Sequence, residues 1–167
     1  WSLQSLVDGE IGPLSEEQLK ILSESLEVTI TAANLITDLL DTARIEEGRF
    51  GFKPEEQDFL PIVEKVVTAT RLTAERKKIA FSVSLPSVLP SVSIDAEKIS
   101  IVIDNLITNA IKYTPEGGAV ALTVRKRANA IEVSVADTGI GIPKEQQRQI
   151  FDQFFRARNA KLYATAG

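Results

Sequence analysis

Apolar residues in this chain recur with two different periods, and the switches between them divide it into elements. Leu19, Leu22, Leu26, Thr29, Ala33, Ile36, Leu40 and Ala43 follow alternating spacings of three and four, the seam of a helix that packs in a bundle or coiled coil. Ile30 and Leu39 widen the stripe beyond a two-stranded seam. Ser15-Glu16-Glu17-Gln18 supplies a capping box, with Ser at the N-cap, Gln three residues on, and acids at the positive end of the helix dipole. The pattern predicts a helix over 15–47 that stops at Gly48. A lone amphipathic helix has nothing to bury its stripe against, so the expected partners are an upstream helix and a second subunit; a core helix of one larger domain is the plain alternative. Residues 1–7 read as the apolar tail of an earlier element, followed by a turn at Asp8-Gly9-Glu10-Ile11-Gly12-Pro13.

Residues 49–57 are polar and contain Gly51 and Pro54, a linker between a helical segment (1–48) and a second domain (58–167). That domain begins with a helix over 59–78, with Pro61 tolerated in its first turn and Ile62, Val63, Val66, Val67 and Thr70 on its inner face. Ile79, Phe81, Val83 and Leu85 then alternate with polar residues as a half-buried strand ended by Pro86. Val92 and Ile94 mark a short strand, and Asp95 caps a helix whose apolar stripe is Ile99, Ile103, Leu106 and Ala110. Val120, Leu122 and Val124, then Ile131, Val133 and Val135, alternate on either side of Ala128-Asn129 as an antiparallel hairpin. The loop Asp137-Thr138-Gly139-Ile140-Gly141-Ile142-Pro143 leads to a helix over 144–155. Of its apolar residues, Phe151 and Phe154 are expected in the core. Residues 156–167 carry no apolar periodicity and read as a loop.

The chemistry sits on the helix that starts at Asp95. At about 100° per residue, Asn105, Asn109 and Lys112 fall within roughly 60° of one another, beside the apolar stripe, which puts them at a cleft edge. Two neutral amide oxygens and an ammonium suit a metal-phosphate group: Mg²⁺ takes oxygen ligands, keeps waters, and shares phosphate oxygens. A solvated helix face that happens to carry Asn is the plain alternative. At the strand end, the Asp137 carboxylate can accept from an amino group such as that of adenine, and the glycines leave bare backbone beside it. No Gly-Lys-[Ser/Thr] follows, so this is not a Walker loop.

Composition narrows the field. A formal charge of -4 argues against a nucleic-acid scaffold. Zero cysteines remove disulfides and thiolate metal sites, in keeping with a reducing cytoplasmic setting. Zero histidines remove imidazole bases and any phosphohistidine on this chain. No apolar run reaches the roughly 20 residues a membrane span needs, so a membrane attachment would lie in upstream segments.

Asn105-x3-Asn109-Ala110-x-Lys112-Tyr113-Thr114 resembles the N box of the sensor histidine kinases. Asp137-x-Gly139-x-Gly141-Ile142 resembles their G1 box, and Ile150-Phe151-x2-Phe154-Phe155-Arg156 their F box. Leu39-Leu40-Asp41-x2-Arg44-Ile45-Glu46-x-Gly48 is similar to the second helix of their dimerisation domain. The resemblance implies an α+β chain: a bundle-forming helix, then a GHKL-type ATP-binding α/β sandwich with a mixed sheet. That fold is shared with type II topoisomerases, heat-shock chaperones and mismatch-repair ATPases. It also implies ATP and Mg²⁺ as cofactors, with Asn109 as the Mg²⁺ ligand and Asn105 near it. Lys112 would meet phosphate and Tyr113 would pack near adenine. Asp137 would read the adenine amine, Gly139 and Gly141 would line the base, and Arg156 would approach the terminal phosphate. The implied partners are a second copy of the chain, through the helical bundle, and a response regulator.

Two family features are missing. The phosphoacceptor histidine belongs about a dozen residues before Trp1, and the second glycine box should begin about where Ala164-Thr165-Ala166-Gly167 stops. The expectation is an internal piece of a kinase, without lid or acceptor and therefore inactive alone. The rival readings are a topoisomerase-like ATPase, where a glutamate usually occupies the place of Asn105, and a degenerate kinase kept for dimerisation and docking.

Overall fold

A computed structural model describes residues 2–10, 12–47, 51–152 and 155–165. The chain divides into two compact units, Trp1–Gly51 and Phe52–Gly167.

The first unit holds α1 (Ser2–Val7) and α2 (Glu16–Glu46), which pack on each other. Residues 2–7, with too few apolar positions to show a period, are helical. The capping box of α2 is formed: Ser15 Oγ accepts from Gln18 N at 3.2 Å, and Gln18 Oε1 accepts from Ser15 N at 2.9 Å. Two of the first backbone donors are thereby satisfied. Glu47 is the C-cap; Gly48, the expected stop, lies outside the described residues, as do Arg49 and Phe50. Leu22 and Leu26 are half-buried, whereas Ile36 and Leu40 of the same seam stay 60% and 52% exposed.

The second unit runs β1 (Glu55–Gln57), α3 (Phe59–Arg76), β2 (Ala80–Ser84), β3 (Val92–Ile94), α4 (Ala96–Tyr113), β4 (Ala119–Lys126) and β5 (Ile131–Asp137). A 3-10 helix (Lys144–Gln149) and α5 (Arg158–Thr165) follow. Strands β2, β4 and β5 form a mixed sheet in that order: β2 lies parallel to β4, and β5 antiparallel to it. Parallel neighbours cannot be joined by a tight turn, and the crossover between β2 and β4 is the segment that contains α4. Helices α3 and α4 pack together and onto this sheet. The core between them is built from Val63, Val67, Ile107, Ile111, Val120 and Leu122. This is the layered α+β arrangement with a mixed sheet.

Five expectations change. Glu55–Gln57, assigned to the polar linker, form β1 and pair antiparallel with β3. Among the described residues of the helix expected over 144–155, only the 3-10 helix Lys144–Gln149 forms, and Phe151 is 92% exposed instead of core. Phe154 lies outside the described residues. The supposed loop 156–167 contains α5. In α4, burial falls on Ile103, Ile107, Ala110 and Ile111, while Leu106 is 46% exposed. Spacings of four, three and one still describe a helical face, turned by one residue from the 3-4 stripe.

The ends of α4 are fixed by local caps and by long-range bonds. Asp95 Oδ1 accepts from Lys98 N at 3.1 Å, the N-cap bond, and Oδ2 accepts from Lys53 N at 3.0 Å, which ties down the chain before β1. At the other end Lys77 Nζ donates to the carbonyls of Ile111 (2.9 Å) and Lys112 (2.6 Å), a cation on the negative end of the dipole. Buried Thr114 turns its Oγ1 back to donate to Ala110 O at 2.7 Å.

Two outcomes follow from this packing. Ile107 is fully buried between helix and sheet, so Ile107→Ala lowers the stability of the second unit by about 2–5 kcal/mol, read from urea unfolding. The backbone bonds from Lys53 and then Lys98 hold the Asp95 carboxyl below the ordinary carboxylate range. A depressed folded pKa contributes stability above the unfolded value of about 3.9, and that stability is lost as pH falls through the lower folded value. Unfolding curves of the chain and of Asp95→Asn therefore differ at neutral pH and converge as the pH is taken below about 4.

Candidate functional site

A cavity of about 420 Å³ opens in the second unit, within the usual range for small-molecule sites. Helix α4 gives one wall through Leu106, Asn109, Ala110 and Tyr113. These residues are spaced three, one and three apart, so they form one face, adjacent to the core face of the same helix. The end of β5 and the glycine loop supply Val135, Asp137, Ile140, Gly141 and Ile142. Ile150, Phe151 and Phe155 lie at the side formed after the 3-10 helix, and Arg156, Ala157 and Ala160 complete the lining.

The loop is held to α4 by backbone. Ile140 N donates to Tyr113 O at 3.1 Å. A Cβ on Gly139 would lie 2.6 Å from that same carbonyl oxygen and 2.7 Å from Asp137 Oδ1, so only glycine allows the approach. Gly139 N donates to Asp137 Oδ1 at 2.8 Å, an Asx-type turn that fixes the carboxylate at the end of β5. Thr138 N donates to Ala119 O at 3.0 Å, and Thr138 Oγ1 accepts from Ala119 N at 2.9 Å, which continues the sheet pairing into the loop. Gly141 turns with φ +65°, and its open side faces free space.

Of the eight residues picked from the sequence, five line the cavity: Asn109, Tyr113, Asp137, Gly141 and Arg156. Asn105 and Lys112 are exposed on α4 and outside the lining; Lys112 Nζ lies over the Tyr113 ring, 5.6 Å from its centroid. Gly139 is also outside the lining, and its bare Cα makes room for the Tyr113 carbonyl, not for a ligand. Leu106, Ala157 and Ala160 were not picked. Leu106 reads as core from its spacing, and alanines give no periodic signal. Asn159 and Gln147 were also missed. Asn159 Nδ2 donates to Gly141 O at 2.8 Å and Ile140 O at 3.2 Å, and Gln147 Nε2 donates to Ile142 O at 3.2 Å. No spacing rule marks either one.

The arrangement is suited to a flat, polar-edged ligand with an anionic tail. Apolar side chains and an aromatic ring line the space, one carboxylate offers an acceptor, and Asn109 and Arg156 offer an amide and a cation. Among the described residues no group of three or more His, Cys, Asp or Glu could hold a metal by protein ligands alone. No helix among them is long and apolar enough to cross a membrane.

The family model for the histidine kinase-, DNA gyrase B- and HSP90-like ATPases matches residues 94–167, which begin at the end of β3 and include every wall of this cavity. The adaptive-response sensory kinase SasA of Thermosynechococcus vestitus is 38% identical over 142 residues, covering 84% of this chain and 37% of that protein. The sensor histidine kinase WalK of Bacillus subtilis is 33% identical over 135 residues, 80% of this chain and 22% of that protein. The chain thus spans well under half the length of either relative. Among solved structures, the Acinetobacter baumannii histidine kinase AdeS superposes with a TM-score of 0.67 at 27% identity, over 90% of this chain and 72% of that one. With a mixed sheet backing α4, a glycine loop closing on its C-terminus, and relatives that align across both units, the chain belongs to the sensor histidine kinases and carries their ATPase-type domain.

Proposed function

We propose that the cavity binds Mg-ATP and that the whole protein transfers the γ-phosphate to a histidine, from which a response regulator takes it. The observation that carries this is the convergence of Asn109, Tyr113, Asp137 and Arg156 on one cavity from α4, the glycine loop and the segment before α5. Asp137 accepts from the exocyclic amine of adenine, the base lies between Tyr113 and the backbone at Gly141, and Arg156 meets the terminal phosphate. Lys112 at the rim neutralises phosphate charge as a point charge.

The donor set fits Mg²⁺. With no acidic cluster among the described residues, a metal here would take one or two protein oxygens and the rest from phosphate and water, which is the usual habit of this ion. Asn109 would hold it, with Asn105 one turn away. Bound there, the ion neutralises charge on the transferring phosphoryl group. The chain's own residues contribute position and electrostatics, the main requirements of phosphoryl transfer. Having no histidine, this chain supplies no acceptor of its own.

In the same reading, residues 1–48 belong to a dimerisation domain, 49–57 connect it, and 58–167 form the catalytic domain. The exposed seam residues Ile36 and Leu40 support a homodimer through α2. The relatives' roles as sensor kinases support a cytoplasmic setting for both units.

Calorimetry tests the site. Asn109→Ala lowers Mg-ATP affinity at least tenfold, about 1.4 kcal/mol, without a change in melting temperature; equal affinity in the variant sinks the assignment. Gly139→Ala acts through the fold: its methyl pushes the loop away from Tyr113, costing about 1–3 kcal/mol in urea unfolding and weakening adenine-nucleotide binding along with it. Retained affinity at unchanged stability contradicts the close approach described above.

A further inference from the structure

Helix α5 touches the glycine loop at one residue that the proposed function does not use. Asn159 Nδ2 spans the carbonyls of Ile140 and Gly141, at 3.2 and 2.8 Å. Those two donations fix the orientation of the amide, because a flipped group would set its oxygen against two carbonyl oxygens. The cost is visible: Asn159 Oδ1 is buried and has no hydrogen-bond partner among the described residues. A buried acceptor left unpaired is rare and calls for a reason.

The neighbouring contacts supply one. Arg158 N donates to Gln146 Oε1 at 3.1 Å, and the Arg158 guanidinium lies 3.6 Å from Glu145, so the start of α5 is rooted on the 3-10 helix. Further along, Tyr163 receives the Lys77 ammonium 5.5 Å from its ring centroid, and that ammonium also binds the last carbonyls of α4. Ala157, just before the first anchor, and Ala160, between the two, are both buried and line the cavity. The loop is held on its other side by Ile140 N to Tyr113 O. Asn159 therefore joins the alanine wall to the loop carrying Asp137.

We propose that Asn159 is a positioning residue for the nucleotide site: its amide ties α5 to the Ile140 and Gly141 carbonyls, so that the Asp137 loop and the Ala157–Ala160 wall keep one spacing. It touches no ligand and acts through the loop. The binding half of the proposal rests on the nucleotide reading above; the loop half does not.

The test compares the chain with Asn159→Ala and with Asn159→Asp, which keeps the volume and removes both donors. Amide hydrogen exchange in the absence of nucleotide reads the loop directly. Exchange at Ile140 and neighbouring loop amides rises about tenfold in both variants, while exchange in β4 and the thermal midpoint hold, as expected for local opening. Titration with a fluorescent adenosine triphosphate analogue and with adenosine reads the site: affinity for both falls about tenfold, because the loss lies at the base end. Unchanged loop exchange overturns the proposal, as does faster exchange with affinity unchanged. If the unsubstituted chain binds neither ligand, the nucleotide reading fails, and the exchange result alone decides whether Asn159 holds the loop.

Discussion

The carbonyl of Tyr113 and the backbone of Gly139 meet with no room for a methyl group between them, and the cavity exists because of that meeting. Tyr113 is the last residue of α4, and Gly139 stands two residues past the end of β5. A side chain at Gly139 would separate helix from loop and move Asp137 away from Asn109 and Tyr113. The contact needs α4 to end at one place, and three bonds see to that. Lys77 holds the carbonyls of Ile111 and Lys112, and Thr114 holds that of Ala110. A lysine from the end of α3 therefore helps set the wall of a site it does not line.

Helix α4 serves two surfaces with adjacent faces. Ile103, Ile107 and Ile111 fill the core against the sheet, and Leu106, Asn109 and Tyr113 face the cavity. Such a helix cannot be rotated to improve one face without spoiling the other, since neighbouring faces differ by one residue, about 100°. Leu106, 46% exposed, lies at the border and lines two cavities; the second is apolar and lies beside β3 and β5.

What could be read from the sequence divides by the range of the forces involved. The capping box of α2, the Asp95 cap and the alternating strands β2, β4 and β5 depend on near neighbours in sequence, and each stands where its residues point. Strand β1 was illegible because Glu55-Glu56-Gln57 has no apolar signal; pairing with β3, nearly 40 residues on, makes it a strand. Helix α5 was illegible because its buried contact falls on Ala160, beside the buried Ala157 that precedes it, and such small side chains leave no period. Phe151 misled in the other direction, its type suggesting core where the chain leaves it exposed. In the site, Asn109, Tyr113 and Asp137 were legible through the resemblance of their spacing to family boxes. The partners that hold them, Lys77 and Asn159, sit 34 and 18 or more residues from the groups they bind, beyond any local pattern.

Several carbonyls around the glycine loop are engaged within the protein. Ile140 O and Gly141 O are taken by Asn159, Ile142 O by Gln147, and Tyr113 O by Ile140 N. An amino group entering the cavity finds in the Asp137 carboxylate its one acidic acceptor among the lining residues, and one oxygen of that group is already aligned by Gly139 N. A charged acceptor in a mostly apolar space gives a stronger hydrogen bond than a neutral carbonyl would. The same restriction explains why the loop is glycine-rich without resembling a phosphate cradle. Its N–H groups at Gly139 and Ile140 are donated to Asp137 and Tyr113, so under the proposed nucleotide reading the phosphates fall to Asn109, Lys112 and Arg156, away from the loop. That proposal assigns base and phosphate to different structural elements, and the spacing it needs between them is the one that the α4 terminus and Asn159 hold.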